Sequence, residues 1–162
     1  MELGTLTLHR FNGDEVFGLS EATIRASPDG DDVLLNLAVN THQCPIKTLP
    51  DTEELRAWPN AEVTVRVPRA QLASLVGRRF SVPKAWDEAE GDHVSRIYYC
   101  EHEDLNENEV EFLELSGDAL KVRWTGTTTD VNYYDGSKPD TRVVIESWFS
   151  LTGPGGGGSS SS

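Results

Sequence analysis

A chain of 162 residues ending in a Gly/Ser tract leaves about 150 residues for folding, close to the common size of one domain. Its hydrophobic content of 37%, with four Trp, four Tyr and five Phe, excludes a disordered chain. The formal net charge of -13 argues against binding nucleic acid through the phosphates, because that mode of binding needs a basic surface.

The first strand begins close to the N-terminus. Residues 5–11 alternate apolar and polar side chains, with Leu6 and Leu8 on one face, and they precede an Asn12-Gly13 turn. The same alternation predicts strands over 16–26 and 33–41. No basic leader precedes them, and no run approaches the roughly 18 apolar residues that a membrane span needs. We therefore expect no membrane association and a cytoplasmic location.

The middle of the chain mixes helical and extended patterns. Asp51 and Glu54 have capping-box spacing and predict a short helix that Pro59 ends. Alternating valines predict a strand over 62–67. A second short helix is predicted after Pro68, because Leu72, Leu75 and Val76 have helical spacing.

The second half returns to strands, over 93–102, 109–115, 119–125 and 141–151. The alternation breaks at Phe112-Leu113, which predicts a bulge or burial on both faces. Together the elements predict an all-β domain over residues 1–152, an antiparallel β-sandwich or partly open barrel of about seven or eight strands with one or two short helices. An α+β fold is the alternative, and residues 153–162 are expected to form a flexible tail.

Two mirrored dyads, His42-Gln43-Cys44 and Cys100-Glu101-His102, could carry metal chemistry. Residues i and i+2 of a strand point the same way, so two such strands side by side would present two Cys and two His. That ligand set suits tetrahedral zinc, although we expect no cofactor in the first instance. The spacing differs from common zinc motifs, and ordinary thiols and surface histidines are the simpler interpretation.

The connection after residue 126 contains oxygen-rich side chains and two tyrosines. Counted from Asp130, the sixth and twelfth positions hold Asp135 and Thr141, so the segment fails the EF-hand pattern of Gly and Glu. Tyr133 and Tyr134 beside polar groups are typical of a recognition loop, although packing over the end of the fold is the alternative.

Charge is distributed unevenly along the chain. Residues 87–118 contain twelve acidic residues and one base, Arg96. An acidic face of this kind can dock a basic protein partner, and a solvated face that keeps the protein soluble is the alternative. The predicted partner-binding residues are Glu101, Glu103, Asp104, Glu107, Glu109, Glu111, Tyr133, Tyr134, Asp135 and Lys138.

Catalytic signatures are missing from the sequence. It contains no nucleophile elbow, phosphate loop, dinucleotide fingerprint or zinc-protease motif, so an enzyme is the less favoured class. The sequence favours a non-catalytic binding module, and an immunity-type inhibitor of a basic toxin is one concrete form of it. The alternatives are a zinc protein that uses His42, Cys44, Cys100 and His102 and a structural or self-assembly domain.

Overall fold

The computed structural model describes residues 3–52, 58–89, 91–99, 101–130, 133 and 135–152, and within them most of the chain lies in β-strands. The strands are β1 (Thr5–Arg10), β2 (Gly13–Asp29), β3 (Asp32–Thr41), β4 (Asn60–Pro68), β5 (Arg79–Val82), β6 (Trp86–Asp87), β7 (Asp92–His93), β8 (Ser95–Tyr99), β9 (Glu101–Asp104), β10 (Asn106–Ser116), β11 (Ala119–Thr128) and β12 (Thr141–Thr152). A 3₁₀ helix, Arg69–Ser74, lies between β4 and β5.

Ten of these strands form one sheet in the order β5-β10-β11-β12-β1-β2-β3-β4-β8-β9, and β6 pairs with β7 in a small second sheet. The pairings are antiparallel except where the end of β12 runs parallel to β2. The described strands form no closed barrel, and the fold is all-β and sandwich-like, as predicted. The first part of the long strand β2 pairs with β1 and the second part pairs with β3. A register shift between Leu19 and Glu21 lies where the partner changes.

Alternation along each strand builds the core. Side chains at every second position point inward, so the chain packs one hydrophobic cluster from both ends of its sequence. The largest fully buried side chains include Trp124, Phe17, Phe112 and Phe149. The predicted irregularity near Phe112 is a register shift between Phe112 and Glu114 against β11.

Gly4 lies where β1, β2 and β12 meet. A Cβ atom built on Gly4 would lie 1.7 Å from the carbonyl oxygen of Glu146 in β12. The Gly4 amide donates to the Ser147 hydroxyl at 3.0 Å, and the Gly4 carbonyl accepts from the Leu19 amide at 3.0 Å. Only glycine permits this approach of backbone to backbone.

One local prediction is wrong, and another is confirmed in part. The strand predicted over 93–102 is divided among β7, β8 and β9, because the chain reverses where Tyr99 pairs with Glu101. The helix predicted after Pro68 is present as a single short 3₁₀ helix, which ends at Ser74, before Leu75 and Val76. Leu75 is buried, but Leu72 and Val76 are exposed. The predicted helix near Asp51 falls largely on residues 53–57, outside the described residues.

Within the described part of the chain, no helix is long and apolar enough to span a membrane. The predicted tail, residues 153–162, lies outside the described residues.

Candidate functional site

A buried arginine organises one end of the sandwich. Leu6, Leu8 and Arg10 share one face of β1, so the alternation that buries the two leucines also turns Arg10 inward. Its side chain is completely buried. Burying a guanidinium is costly unless it is paired and hydrogen-bonded, which predicts carboxylates around it.

Three carboxylates surround Arg10, and five hydrogen bonds join them to it. Asp51 and Asp130 each accept two bonds, at 2.8 to 2.9 Å, and Glu15 accepts one at 2.8 Å. The Glu15 and Asp130 side chains are fully buried, and that of Asp51 is 22% exposed. Burial alone would lower the pKa of Arg10, but the bonds to Asp51, Asp130 and Glu15 outweigh it and raise that pKa above its ordinary value.

This Arg10 network joins distant parts of the chain. The Tyr99 hydroxyl, at the end of β8, donates to Glu15 at 3.0 Å. The Thr141 hydroxyl, at the start of β12, donates to Asp130 at 2.9 Å. The network therefore fixes the β8–β9 hairpin on one side and the connection between β11 and β12 on the other, and these segments carry several of the predicted partner-binding residues.

The connection between β11 and β12 packs an aromatic pair around a lysine. The rings of Phe11 and Tyr133 meet edge to face at 5.6 Å, and the Lys138 amino group lies 5.2 Å from each ring centre. Asp135 is exposed, and the hydrogen bond that its carboxylate accepts from the Ser137 amide lowers its pKa. Tyr134 lies outside the described residues.

Two of the loop residues therefore have partners within the molecule. Lys138 is held between Phe11 and Tyr133, a cation–π contact that stabilises the loop. Asp130, the first residue of the oxygen-rich segment, is bound by Arg10 and Thr141. This arrangement makes Asp130 a structural anchor of the loop.

The acidic residues Glu101, Glu103 and Asp104 all belong to β9, the terminal strand of the ten-stranded sheet. Glu101 and Asp104 are exposed, and Glu103 is partly buried. Partial burial, together with the neighbouring carboxylates of Glu101 and Asp104, raises the pKa of Glu103. A cation placed beside this strand would relieve that repulsion.

Three further predicted acids lie on β10, and one of them accepts a side-chain hydrogen bond within the sheet. Ser81 donates to Glu109 at 2.7 Å, and Glu111 lies opposite Arg123 in the register with β11. Glu107 is exposed and has a positive φ of 55°, which is uncommon outside glycine. The adjacent residue Asn106 pairs with Thr127, so Glu107 lies at the end of the sheet where β11 leads into the connection to β12.

The described members of the two dyads predicted to bind zinc lie in separate parts of the fold. His42 and Cys44 are exposed just after β3, and His102 is exposed on β9 against the Tyr98 ring. The strands β4 and β8 separate β3 from β9, so three inter-strand steps of about 4.8 Å lie between them. The side-by-side arrangement that the zinc hypothesis requires is therefore not met.

Cys100 lies outside the described residues, so the complete ligand set stays a prediction. Within the described residues, no group of three or more His, Cys, Asp or Glu side chains is arranged to hold a metal ion.

Arg10 is not among the site residues predicted above, although one signal in the sequence points to it. Arg10 lies two residues after Leu8 and four after Leu6, so it falls on the same inward face of β1. In the same way, Glu15 falls on the inward face of β2 with Phe17 and Leu19. A charged residue at an inward strand position is a candidate for a buried ion pair. The partners across the sheet, Asp51 and Asp130, carry no comparable signal because they lie outside the strands.

No family model matches the chain, and neither the curated proteins nor the solved structures contain a significant match to it. The functional assignment therefore depends on the chemistry of the described surface.

Proposed function

We propose that this chain is a non-catalytic binding module that engages a basic protein partner through the acidic strand β9. An immunity-type inhibitor that docks on a basic toxin is one form of this function. The observation that carries the proposal is the position of Glu101, Glu103 and Asp104 on the terminal strand of the sheet, where partial burial and then the neighbouring carboxylates raise the pKa of Glu103.

Three features support this face over the rest of the acidic surface. The net charge of -13 favours association with cationic partners and accelerates encounter with them. Within the described residues β9 pairs with β8 alone, so its outer backbone edge is available to another chain. The Arg10 network holds the end of β8 through Tyr99, so the hairpin is positioned before a partner arrives.

Some of the predicted partner-binding residues are less suited to meet a partner than others. Glu109 binds Ser81, and Lys138 is enclosed by two rings, so these side chains are occupied within the molecule. The exposed acids of β9 are the groups that a partner would meet first.

Selection from a displayed library of random twelve-residue peptides tests the proposal. We expect the enriched peptides to carry net positive charge. We expect their Kd for the Glu101→Lys/Asp104→Lys variant to rise at least tenfold, about 1.4 kcal/mol, because like charges are then juxtaposed. Enrichment of neutral or acidic peptides would contradict the proposal.

The matched control is Asp31→Lys/Asp118→Lys, which makes the same change in net charge at exposed positions in the β2–β3 and β10–β11 turns. Binding by this variant should stay within about threefold of wild type, because charges beyond a Debye length of about 8 Å are largely screened at physiological salt. Equal losses in both double variants would show that net charge alone, and not β9, attracts the peptides.

A further inference from the structure

A cleft opens where β4 and β5 face each other across the sheet without pairing. It has a volume of about 870 Å³, within the range of about 300–1,000 Å³ that is typical of binding pockets. Phe80, Ser81 and Val82 of β5 form one wall, Thr64 and Arg66 of β4 form the other, and the β6–β7 hairpin stands beside them.

The outer edge of β5 presents backbone groups to this cleft. The Phe112 amide of β10 donates to the Arg78 carbonyl at 3.0 Å, just before β5 begins. Because hydrogen-bonding direction alternates along an antiparallel strand, Phe80 and Val82 direct their backbone groups to β10, and Arg79 and Ser81 direct theirs away from it. Among the described residues, no backbone group pairs with Arg79 or Ser81 on that outer side.

An exposed tryptophan stands over the cleft. Trp86 is 46% exposed, and its ring meets the His93 ring edge to face at 5.0 Å. The base of the hairpin is fixed, because the Val94 amide donates to the Ala85 carbonyl at 2.7 Å and the Ala85 amide donates to the Asn106 side chain at 2.8 Å. A rigid indole at the rim of a cleft is a platform for a cationic or apolar side chain.

The charges around Trp86 favour a cation. Asp87, Glu88 and Asp92 line the cleft together with Trp86, against two bases, Arg66 and Lys84, so acids are in excess. Arg66 is already paired with Asp29 at 2.7 Å and Asp32 at 3.1 Å. His93 also lies 3.3 Å from Asp104, which connects the cleft to the acidic strand β9.

We propose that this cleft binds an extended basic segment of a partner protein, which adds to β5 as a new strand and places a lysine or arginine side chain against Trp86. Alternate residues of the segment would pack beside Phe80 and Val82, while its backbone pairs with Ser81. The basic character of the segment rests on the proposed function, and the pairing with β5 is a separate claim.

A fluorescein-labelled nine-residue peptide that alternates lysine with valine tests the inference by anisotropy. The Ser81→Pro variant removes the outward amide and leaves the bonds to β10 intact, because proline is tolerated on the open side of an edge strand. We expect it to weaken binding at least tenfold. The Ser81→Ala variant keeps the amide, and we expect it to bind as wild type does.

Two further measurements separate strand addition from other modes. We expect Trp86→Ala to weaken binding at least fivefold, and we expect a peptide with alternate N-methylated amides to bind at least tenfold more weakly. If the Ser81→Pro variant does not fold, amide hydrogen exchange of the wild-type protein takes the place of this test. We then expect bound peptide to slow the exchange of the Ser81 amide. Unchanged binding by a folded Ser81→Pro variant or by the N-methylated peptide would overturn the inference. Failure of the peptide to protect the Ser81 amide would also overturn the inference. The inference would equally be overturned if the free chain forms dimers that Ser81→Pro abolishes, because β5 would then pair with a second copy of the chain.

The same peptide distinguishes the two proposals. Loss of binding in Glu101→Lys/Asp104→Lys with full binding in Ser81→Pro would overturn the added strand and support β9 as the docking face. The opposite result would support the cleft and contradict the role of β9.

Discussion

Replacement of Arg10 by methionine tests the structural basis of the candidate site. The change keeps an unbranched side chain of similar length but removes five hydrogen bonds and the positive charge. Glu15 and Asp130 would remain fully buried without their counter-ion. Breaking a buried ion pair by removing one partner costs about 3–5 kcal/mol. In a domain of this size that cost lowers the Tm by about 6–20 °C.

The pH dependence adds a second readout. Because the pKa of Arg10 is raised, Arg10 is charged at every pH below its ordinary range, and its contribution to stability is lost only in strong alkali. The deficit of Arg10→Met in unfolding free energy should therefore be as large at pH 9 as at pH 7, because the wild-type guanidinium stays charged at both.

Urea denaturation followed by tryptophan fluorescence measures the loss. Arg123→Met is the matched control, because Arg123 is 43% exposed and its ion pair with Glu146 is a surface pair worth at most about 1 kcal/mol. A loss below about 1 kcal/mol in Arg10→Met, or a deficit that disappears between pH 7 and pH 9, would refute the view that a charged Arg10 neutralises buried carboxylates.

Three other changes have expected outcomes. Gly4→Ala should lower the Tm sharply, because its Cβ would overlap a backbone carbonyl, whereas Gly18→Ala meets only ordinary contacts at 3.6 Å or more and should be nearly neutral. Trp124→Phe should cost at least about 1–3 kcal/mol in urea denaturation, because the buried Asn108 oxygen loses its donor at 2.8 Å. Glu103→Gln should raise the Tm at pH 7 but not at pH 4: a carboxyl whose pKa is raised by folding destabilises the fold when ionised and ceases to do so once protonated.

Much of the fold could be predicted from the sequence because alternation is a local signal. The strand predicted over 62–67 is the centre of β4, with Val63, Val65 and Val67 inward. The strand predicted over 141–151 is β12, which lies between β11 and β1. The turn predicted at Asn12-Gly13 is equally local, and it joins the paired strands β1 and β2.

The errors arise where tertiary contacts decide the structure. Nothing local to 93–102 shows that Tyr99 ends a strand, because its hydroxyl is fixed by Glu15, more than eighty residues earlier in the chain. The strand β5 has only four residues and depends on pairing with β10. Short strands of this kind have too few residues to show a period.

The acidic residues of the candidate site could be predicted from the sequence, but their positions in the fold could not. The acidic residues of β9 were identified from charge alone, and their place on a terminal strand follows from pairings with β8 that no local pattern encodes. The partners of Arg10 are separated from it by up to 120 residues, so sequence could indicate an inward arginine but not the carboxylates that neutralise it.

The most direct test of the central claim is a titration of a library-selected peptide into the ¹⁵N-labelled protein, followed by NMR. If β9 is the docking face, the largest shift changes should fall on the amides of residues 101–104, and these changes should weaken as salt screens the carboxylates. Shift changes confined to other strands, with residues 101–104 unmoved at saturation, would contradict the account.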